Sequence, residues 1–419
     1  MTATTPSLWR HREFTRLWAG QTVSLVGSQV TTLALPLIAI VLLGAGSIQI
    51  GALRAAQLAP YLVVGLVAGA WVDRVHRRPV LIVTNLGRAL VLATIPLAAL
   101  LGELRMVHLY VAAVVVGGLT VFFDVAYESF LPSLVRREQL ADGNSKLGLS
   151  SSLATLIGPG IAGVLVQTMT APLAIVVDAA SFVVSAVSIM SIRAHERRTS
   201  ARSVPTHLLS EVADGVRIVW SNVLLRTMAA SLVLFYAFFG FVVTIYLLYA
   251  VHELAVSPGF LGVIFAAGGV GTALGTLLAP RVARRVGIGG AIVWGAVVSD
   301  GVFLLLPAIS GPSSVTVPLL AAVQLLFGLA APITAINQLS LRQAITPARY
   351  RGRVSATMRV TMLGLGPLTS LVAGTLGEVI GLRPTLLVGV LGLQLGAVVL
   401  VLSPLRSLRE AVPMEPESE

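Results

Sequence analysis

The sequence predicts an all-α membrane protein whose twelve transmembrane helices form two six-helix bundles. Hydrophobic residues make up 56% of the 419 residues and charged residues only 11%, whereas a soluble domain carries about 25% charged residues. So few charges cannot cover a water-facing surface, and most of the surface must therefore face lipid. Apolar runs long enough to cross a hydrocarbon core of about 30 Å recur along the whole chain.

Twelve apolar runs define the predicted spans. Charged residues or Pro and Gly breaks separate them, and their ranges are 17–43, 49–71, 80–101, 106–130, 145–169, 172–192, 226–251, 258–280, 288–308, 314–341, 354–379 and 384–404. The first six spans form a bundle within 1–192, and the last six form a bundle within 226–405. A connector, 193–225, joins the bundles, and a cytoplasmic tail, 406–419, follows them.

The connector interrupts the hydrophobicity. It begins with the polar run ERRTSARS and continues with a segment in which Leu209, Val212, Val216 and Val219 recur at helical spacing. Apolar residues at this spacing form one face of a helix. We expect an amphipathic helix that lies along the membrane surface.

Arginine sets the predicted orientation. The chain holds 28 Arg and one Lys, and 24 of these 29 residues lie in segments that the topology places in the cytoplasm. Outside loops hold only Arg105 and Arg383, while Arg54, Arg88 and Arg359 fall within spans. This positive-inside pattern predicts a multi-pass plasma-membrane protein with both termini cytoplasmic and the first apolar run retained as a helix. It also argues against a nucleic-acid-binding face.

The two halves resemble each other at an offset of about 206–210 residues. The segment 69–78 (GAWVDRVHRR) corresponds to 275–285, and 158–165 (GPGIAGVL) corresponds to 366–374. Six spans per half give both halves the same orientation. A same-orientation repeat is typical of transporters in which two helical bundles rock against each other.

The loop between the second and third spans carries a charged motif of Gly69, Asp73, Arg74, Arg77 and Arg78. Glycine permits close helix packing, and an aspartate there can accept hydrogen bonds from a helix N-terminus. The arginines can reach carboxylates on neighbouring helices. Contacts that exist in only one conformational state would make this loop a cytoplasmic gate. The alternative is a basic loop that only sets orientation.

This motif resembles the conserved loop between helices 2 and 3 of the major facilitator superfamily, with His76 in place of the usual glycine. The segments LWRHREFTRLWAGQTVSLVGSQV, FFDVAYESFLPSLV and GPGIAGVLVQ resemble the branch that holds macrolide-efflux and enterobactin-exporter proteins. The resemblance implies the major facilitator fold, transport by alternating access, and a central cavity lined by helices 1, 4, 7 and 10. In the second half, Ala279 and Pro280 replace the Asp-Arg pair of the loop.

The fifth span contains Gly158, Pro159 and Gly163. Proline removes a helix hydrogen bond, and the glycines allow another helix to approach closely. We expect a packing hinge here. The pattern also resembles the fifth-helix signature of superfamily antiporters, with Ala162 in place of one glycine, which favours export.

Asp124 and Glu128 are the candidate proton-coupling residues. They are four residues apart on the fourth span and so share one helical face. With the cytoplasmic end near Leu134, they lie about 15 Å and 9 Å from it. Mutual repulsion and burial both disfavour two ionised carboxylates, as a proton carrier requires. Glu128 has an alternative role as an ion-pair partner of the loop arginines.

Polar and aromatic residues on three spans are candidates for the substrate cavity. They are Gln21, Ser24, Ser28, Thr31, Tyr236, Tyr246, Asn337 and Gln338. The stripe on span 1 suits a cavity wall or hydrogen bonds that hold helices together. The aromatic residues on span 7 suit a bulky apolar substrate or ordinary packing. For Arg54, Asp178, Asp300 and Arg359 we expect structural roles.

These features predict a proton-coupled exporter (antiporter) of a small hydrophobic or amphipathic compound, such as a drug, antibiotic or siderophore. Its expected partners are that substrate, protons and lipid, and we expect a monomer. We expect no enzyme activity, no cofactor and no metal site, because the sequence has no P-loop, no HExxH motif and no cysteine. The alternatives are an importer or facilitator of a polar nutrient such as a sugar, and a non-transporting membrane sensor or scaffold.

Overall fold

The computed structural model describes residues 8–72, 74–193, 208–347 and 350–409. Asp73 of the loop motif, most of the polar run in the connector and the end of the tail lie outside these residues. In the described part of the chain every regular element is a helix. The predicted all-α class is therefore confirmed.

The first half contains six long helices. They are α1 (Arg12–Leu37), α2 (Ser47–Val72), α3 (Arg77–Leu100), α4 (Met106–Leu134), α5 (Leu140–Met169) and α6 (Ala171–Met190). A π-helical turn, Ile38–Leu42, extends α1. Short 3₁₀ turns at Leu8–Arg10 and Arg137–Gln139 precede α1 and α5.

The second half contains one short helix followed by six longer ones. They are α7 (Leu208–Ser221), α8 (Val223–His252), α9 (Pro258–Val286), α10 (Ile288–Val302), α11 (Ser313–Ile345), α12 (Arg351–Ile380) and α13 (Leu382–Val401). A 3₁₀ segment, Phe303–Ala308, continues α10, and another, Pro404–Ser407, follows α13. The helix predicted in the connector is α7.

Each of the twelve predicted spans coincides with one of the long helices. Ten helices in the described part of the chain are long and apolar enough to cross a membrane, and α12 contains a shorter apolar stretch, Gly364–Ile380. Several helices extend beyond their apolar runs: α4 continues to Leu134 and α9 to Val286. Hydropathy detects only the part inside hydrocarbon, whereas a helix satisfies its backbone hydrogen bonds equally well in the polar interface.

The contacts divide the chain into two compact units, Met1–Ser200 with Ser257–Val263, and Ala201–Val256 with Ile264–Glu419. In the first unit, α1 packs against α5 and α6, and α3 packs against α4 and α6. In the second, α8 packs against α12 and α13, and α10 packs against α11 and α13. Since α8–α13 correspond in order to α1–α6, the same helix pairs recur, as an internal duplication requires.

Small residues bring α1 and α6 close together in the first unit. A Cβ atom on Gly20 would lie 2.8 Å from the Cβ of Ser188, and one on Gly27 would collide with the side chains of Ser181 and Asp178. Glycine therefore allows the two helix backbones to approach closely enough for polar side chains to bond between them.

We expect Gly27→Ala to destabilise the protein by about 1–3 kcal/mol, because the added methyl group overfills the contact between α1 and α6. The measurement is thermal unfolding of the purified protein in detergent, followed by size-exclusion chromatography. Gly118→Ala on α4 is the matched control, since a Cβ there meets no atom within 4 Å. Equal melting temperatures for the two variants would contradict the prediction.

Candidate functional site

A buried arginine lies at the centre of the first unit. Arg88 on α3 is 4% exposed, and its guanidinium carbon lies 4.3 Å from the ring centre of Phe123 and 4.1 Å from that of Phe182. Its terminal nitrogen donates to Oδ1 of Asn85 at 2.6 Å. Two aromatic faces and an amide thus hold the planar cation in one position.

Asp178 on α6 is the buried carboxylate of this region and is 1% exposed. It accepts hydrogen bonds from the hydroxyls of Thr31 (2.5 Å) and Ser181 (3.1 Å), and also from Ser28. Arg88 interacts with it electrostatically. Asp178 therefore has a cation and three hydroxyl donors to compensate its burial.

The polar stripe predicted on span 1 lies along α1. Ser28 and Thr31 bond to Asp178, which favours the interpretation that they hold helices together. Ser24 is buried. The Oε1 atom of Gln21 is buried and has no hydrogen-bond partner among the described residues.

Asp124 and Glu128 lie one turn apart on α4, as predicted, but both side chains are exposed, so the burial expected of them is not observed. The hydroxyl of Tyr61 on α2 donates to Oδ2 of Asp124 at 3.5 Å. Arg88 interacts electrostatically with Asp124 as well as with Asp178. One guanidinium thus serves two carboxylates, one buried and one exposed. In the described part of the chain Glu128 forms no ion pair, so its predicted pairing with the loop arginines is not observed.

The loop motif holds the end of α6. Arg78 donates from Nε to the carbonyl of Ile189 at 3.2 Å, and from a terminal nitrogen to that of Met190 at 2.5 Å. Arg16 on α1 donates to the carbonyl of Ser191 at 2.6 Å. Unpaired carbonyls at a helix C-terminus attract cations, which explains both contacts.

One expectation for this motif needs correction, while the prediction that its arginines reach carboxylates stays a prediction. Gly69 was predicted to allow close packing, but a Cβ there would meet no described atom within 4 Å. Arg74 is exposed, and Arg77 is partly buried.

The fifth-helix residues lie in the middle of α5, which continues without interruption through Pro159. A Cβ on Gly158 would collide with the side chain of Gln29 on α1. Gly163 is buried one turn further along. Close packing at Gly158 is therefore observed, while the hinge itself remains a prediction.

The second unit contains a cavity of about 530 Å³ between α8, α9, α10 and α11. Tyr236 and Gln338, both predicted cavity residues, line it, and so does Asp300. Tyr246 and Asn337 are buried and do not line this cavity. The amide of Asn337 donates to the carbonyl of Ile333 within its own helix at 2.7 Å.

The importance of Arg88 was missed by the sequence analysis, although a signal was present. At about 1.5 Å per residue, Arg88 lies about 17 Å from the start of α3 and Asp178 about 18 Å from the end of α6. Asp124 lies about 15 Å from the end of α4. Intramembrane charges of opposite sign at a common depth are candidates for pairing.

Comparison with known proteins identifies the family. The family model of the Major Facilitator Superfamily matches residues 17–369. The chain belongs to this superfamily. As a Major Facilitator protein it is a membrane transporter and not an enzyme, and the resemblance drawn from its loop motif is confirmed.

Two curated relatives of this Major Facilitator protein are named as efflux proteins. The multidrug efflux pump Tap of Mycolicibacterium fortuitum is 32% identical over 362 residues, which cover 83% of this chain and 86% of the relative. Macrolide efflux protein A of Streptococcus pyogenes is 23% identical over 214 residues, which cover 51% of this chain and 52% of that protein. The predicted class of efflux transporter is therefore supported.

The fold is shared with solved transporters. The crystal structure of the nucleoside transporter NupG is similar with a TM-score of 0.73 at 14% identity, over 93% of this chain and 98% of that one. At this identity the similarity shows the Major Facilitator fold alone, and it confirms the fold predicted from sequence.

Proposed function

We propose that this transporter is a proton-coupled exporter of small hydrophobic or amphipathic compounds, located in the cell membrane with both termini in the cytoplasm. The names of its relatives support export, and the arginine distribution supports the orientation. The observation that carries proton coupling is that the buried guanidinium of Arg88 interacts electrostatically with both Asp124 and Asp178.

The charges of this group explain why a proton would matter. With both carboxylates ionised, one guanidinium faces two negative charges within the membrane, where each ionised group is costly. Asp178 is buried and accepts hydrogen bonds from three hydroxyl donors, which favour its ionised form beside Arg88. Asp124 lies on the exposed side of α4 and is the carboxylate that takes up and releases the proton.

Protonation of Asp124 would change the forces on α4. The neutral acid no longer attracts Arg88, which then interacts with Asp178 alone. Because α4 carries Asp124 while α3 and α6 carry Arg88 and Asp178, protonation weakens an electrostatic tie between α4 and its neighbours. A proton that binds one conformational state better than the other shifts the equilibrium between them.

Everted membrane vesicles containing the protein test the function. When the vesicle interior is acidified, we expect an amphipathic fluorescent dye to accumulate inside as protons leave. Accumulation should stop when nigericin collapses the pH gradient, and vesicles without the protein should show none. Dye transport that is indifferent to the gradient would contradict proton coupling. Counterflow of a labelled sugar, with no dye transport, would favour the importer alternative.

A further inference from the structure

We propose that the cavity of the second unit is a binding site for amphipathic cations, with Asp300 as the counter-charge. This inference deepens the proposed function, on which it rests, by naming a substrate class and a site. The cavity lies within one unit and is lined by described residues of α8, α9, α10 and α11. Its volume of about 530 Å³ is in the range of pockets that hold drug-sized ligands.

The first argument is the charge of Asp300. This residue is 3% exposed and lies on the cavity wall. Its carboxylate accepts a hydrogen bond from the hydroxyl of Ser299 at 3.0 Å. Among the described residues no basic side chain forms an ion pair with it. An ionised carboxylate at this depth is costly without a cation, and a cationic ligand in the cavity would supply one.

Comparison of the two units strengthens this argument. Asp300 lies about 18 Å from the start of α10, close to the depth of Arg88 in the corresponding helix α3. In the first unit the charge on α3 interacts electrostatically with an opposite charge, Asp178, on α6. In the second unit α13 corresponds to α6 and carries Gln394. Its amide donates to the main-chain carbonyl of Asp300 at 2.8 Å and not to the side-chain carboxylate. Among the described residues of the second unit, no basic side chain takes the place of that internal partner.

The second argument is the aromatic wall of the cavity. The rings of Phe235 and Phe239 stack at 5.0 Å, and those of Phe239 and Phe327 stack at 5.5 Å. Phe303, which is buried and does not line the cavity, supports this wall by packing against Phe327 at 4.6 Å. Aromatic faces attract cations and also bury apolar substituents. A carboxylate beside such a wall is suited to a cation that carries bulky apolar groups, and it disfavours an anion of the same shape.

Binding of three probes of similar shape to the purified full-length protein tests the proposal. They are tetraphenylphosphonium (cation), triphenylphosphine oxide (neutral) and tetraphenylborate (anion). We expect the native protein to bind the cation most tightly. Asp300→Asn should weaken binding of the cation about tenfold or more, as expected for loss of a buried charge partner, and leave the neutral probe within about twofold. Phe239→Leu should weaken binding of the cation and of the neutral probe by a similar factor.

Glu103→Gln, which changes an exposed loop carboxylate, is the matched control and should bind like the native protein. Unchanged affinity of Asp300→Asn for the cation would overturn the proposal. If that variant does not fold, binding to the native protein still tests the proposal. Equal affinity of the native protein for tetraphenylborate and tetraphenylphosphonium would overturn the proposal.

The binding test and the vesicle test distinguish a failure of the proposed site from a failure of the proposed function. Charge-selective binding that depends on Asp300, in a protein without gradient-driven transport, would contradict proton-coupled export but support this site. Gradient-driven transport in a protein that binds the three probes with equal affinity would contradict the site and leave the proposed function standing.

Discussion

Arg88→Met should lower the stability of the protein by about 3 kcal/mol or more, because it removes the buried cation that interacts electrostatically with the buried carboxylate of Asp178. Methionine fills part of the space between Phe123 and Phe182, so the main loss is electrostatic. Asp178 would remain 1% exposed with hydroxyl donors but no cation. The measurement is the thermal unfolding of the purified protein in detergent. Arg105→Met in an outside loop is the control and should unfold close to the native temperature, because that arginine is largely exposed.

The double variant Arg88→Met with Asp178→Asn separates the ion pair from packing. Asparagine retains an oxygen that can accept from Thr31 and Ser181, and it carries no charge. We expect the second substitution to recover part of the stability lost in the first, which gives a favourable coupling energy between the two residues. Additive losses, or a single variant Arg88→Met that unfolds with the native protein, would show that Arg88 and Asp178 are not a pair.

Asp124→Asn should abolish transport driven by the pH gradient while the protein still inserts and folds. The amide cannot take up and release the proton. It is also neutral, so it attracts Arg88 more weakly than an ionised carboxylate does. In everted vesicles we expect dye accumulation to fall to the level of vesicles without the protein. Tyr61→Phe, which removes the hydroxyl donor to Asp124, should shift the pH dependence and retain transport.

Two further variants give this prediction its controls. Asp142→Asn removes a carboxylate at the start of α5 that pairs with Lys146, and it should leave gradient-driven transport unchanged. Glu128→Gln tests the neighbouring carboxylate, for which we expect a smaller effect because the electrostatic interaction of Arg88 is with Asp124. Normal gradient-driven transport in both the Asp124 and Glu128 variants would refute the assignment of proton coupling to α4.

The fold could be predicted because each span is decided by its own residues. An apolar run must become a helix in lipid, where every backbone group needs a partner. Helix ends were less predictable, since α4 and α9 continue beyond hydrocarbon to Leu134 and Val286. The repeat offset also anticipated that the same helix pairs would pack in both units.

The candidate site was harder to predict, because contacts depend on which helices are neighbours and on how each is rotated. Asp124 and Glu128 were placed on one face correctly. Asp178 and Asp300 were both expected to have structural roles. The partners of Asp178 become visible only in the structure, where α6 packs on α1 and α3. Tyr236 and Tyr246 lie on the same helix, yet the structure places only Tyr236 on the cavity wall. Rotation of α8 decides this, and helical spacing alone does not.

The contrast between Arg88 and Asp300 has a consequence for how the proposed exporter can evolve. In the first unit the charge is neutralised by a neighbouring helix, so a change there disturbs the protein's own energy balance. In the second unit the charge faces a cavity, where a change alters what the protein carries. Under the proposed function, selection for new substrates can therefore act on one unit while the other keeps the residues proposed for proton coupling. Variants that broaden or shift the range of transported compounds should accumulate on α8, α9, α10 and α11.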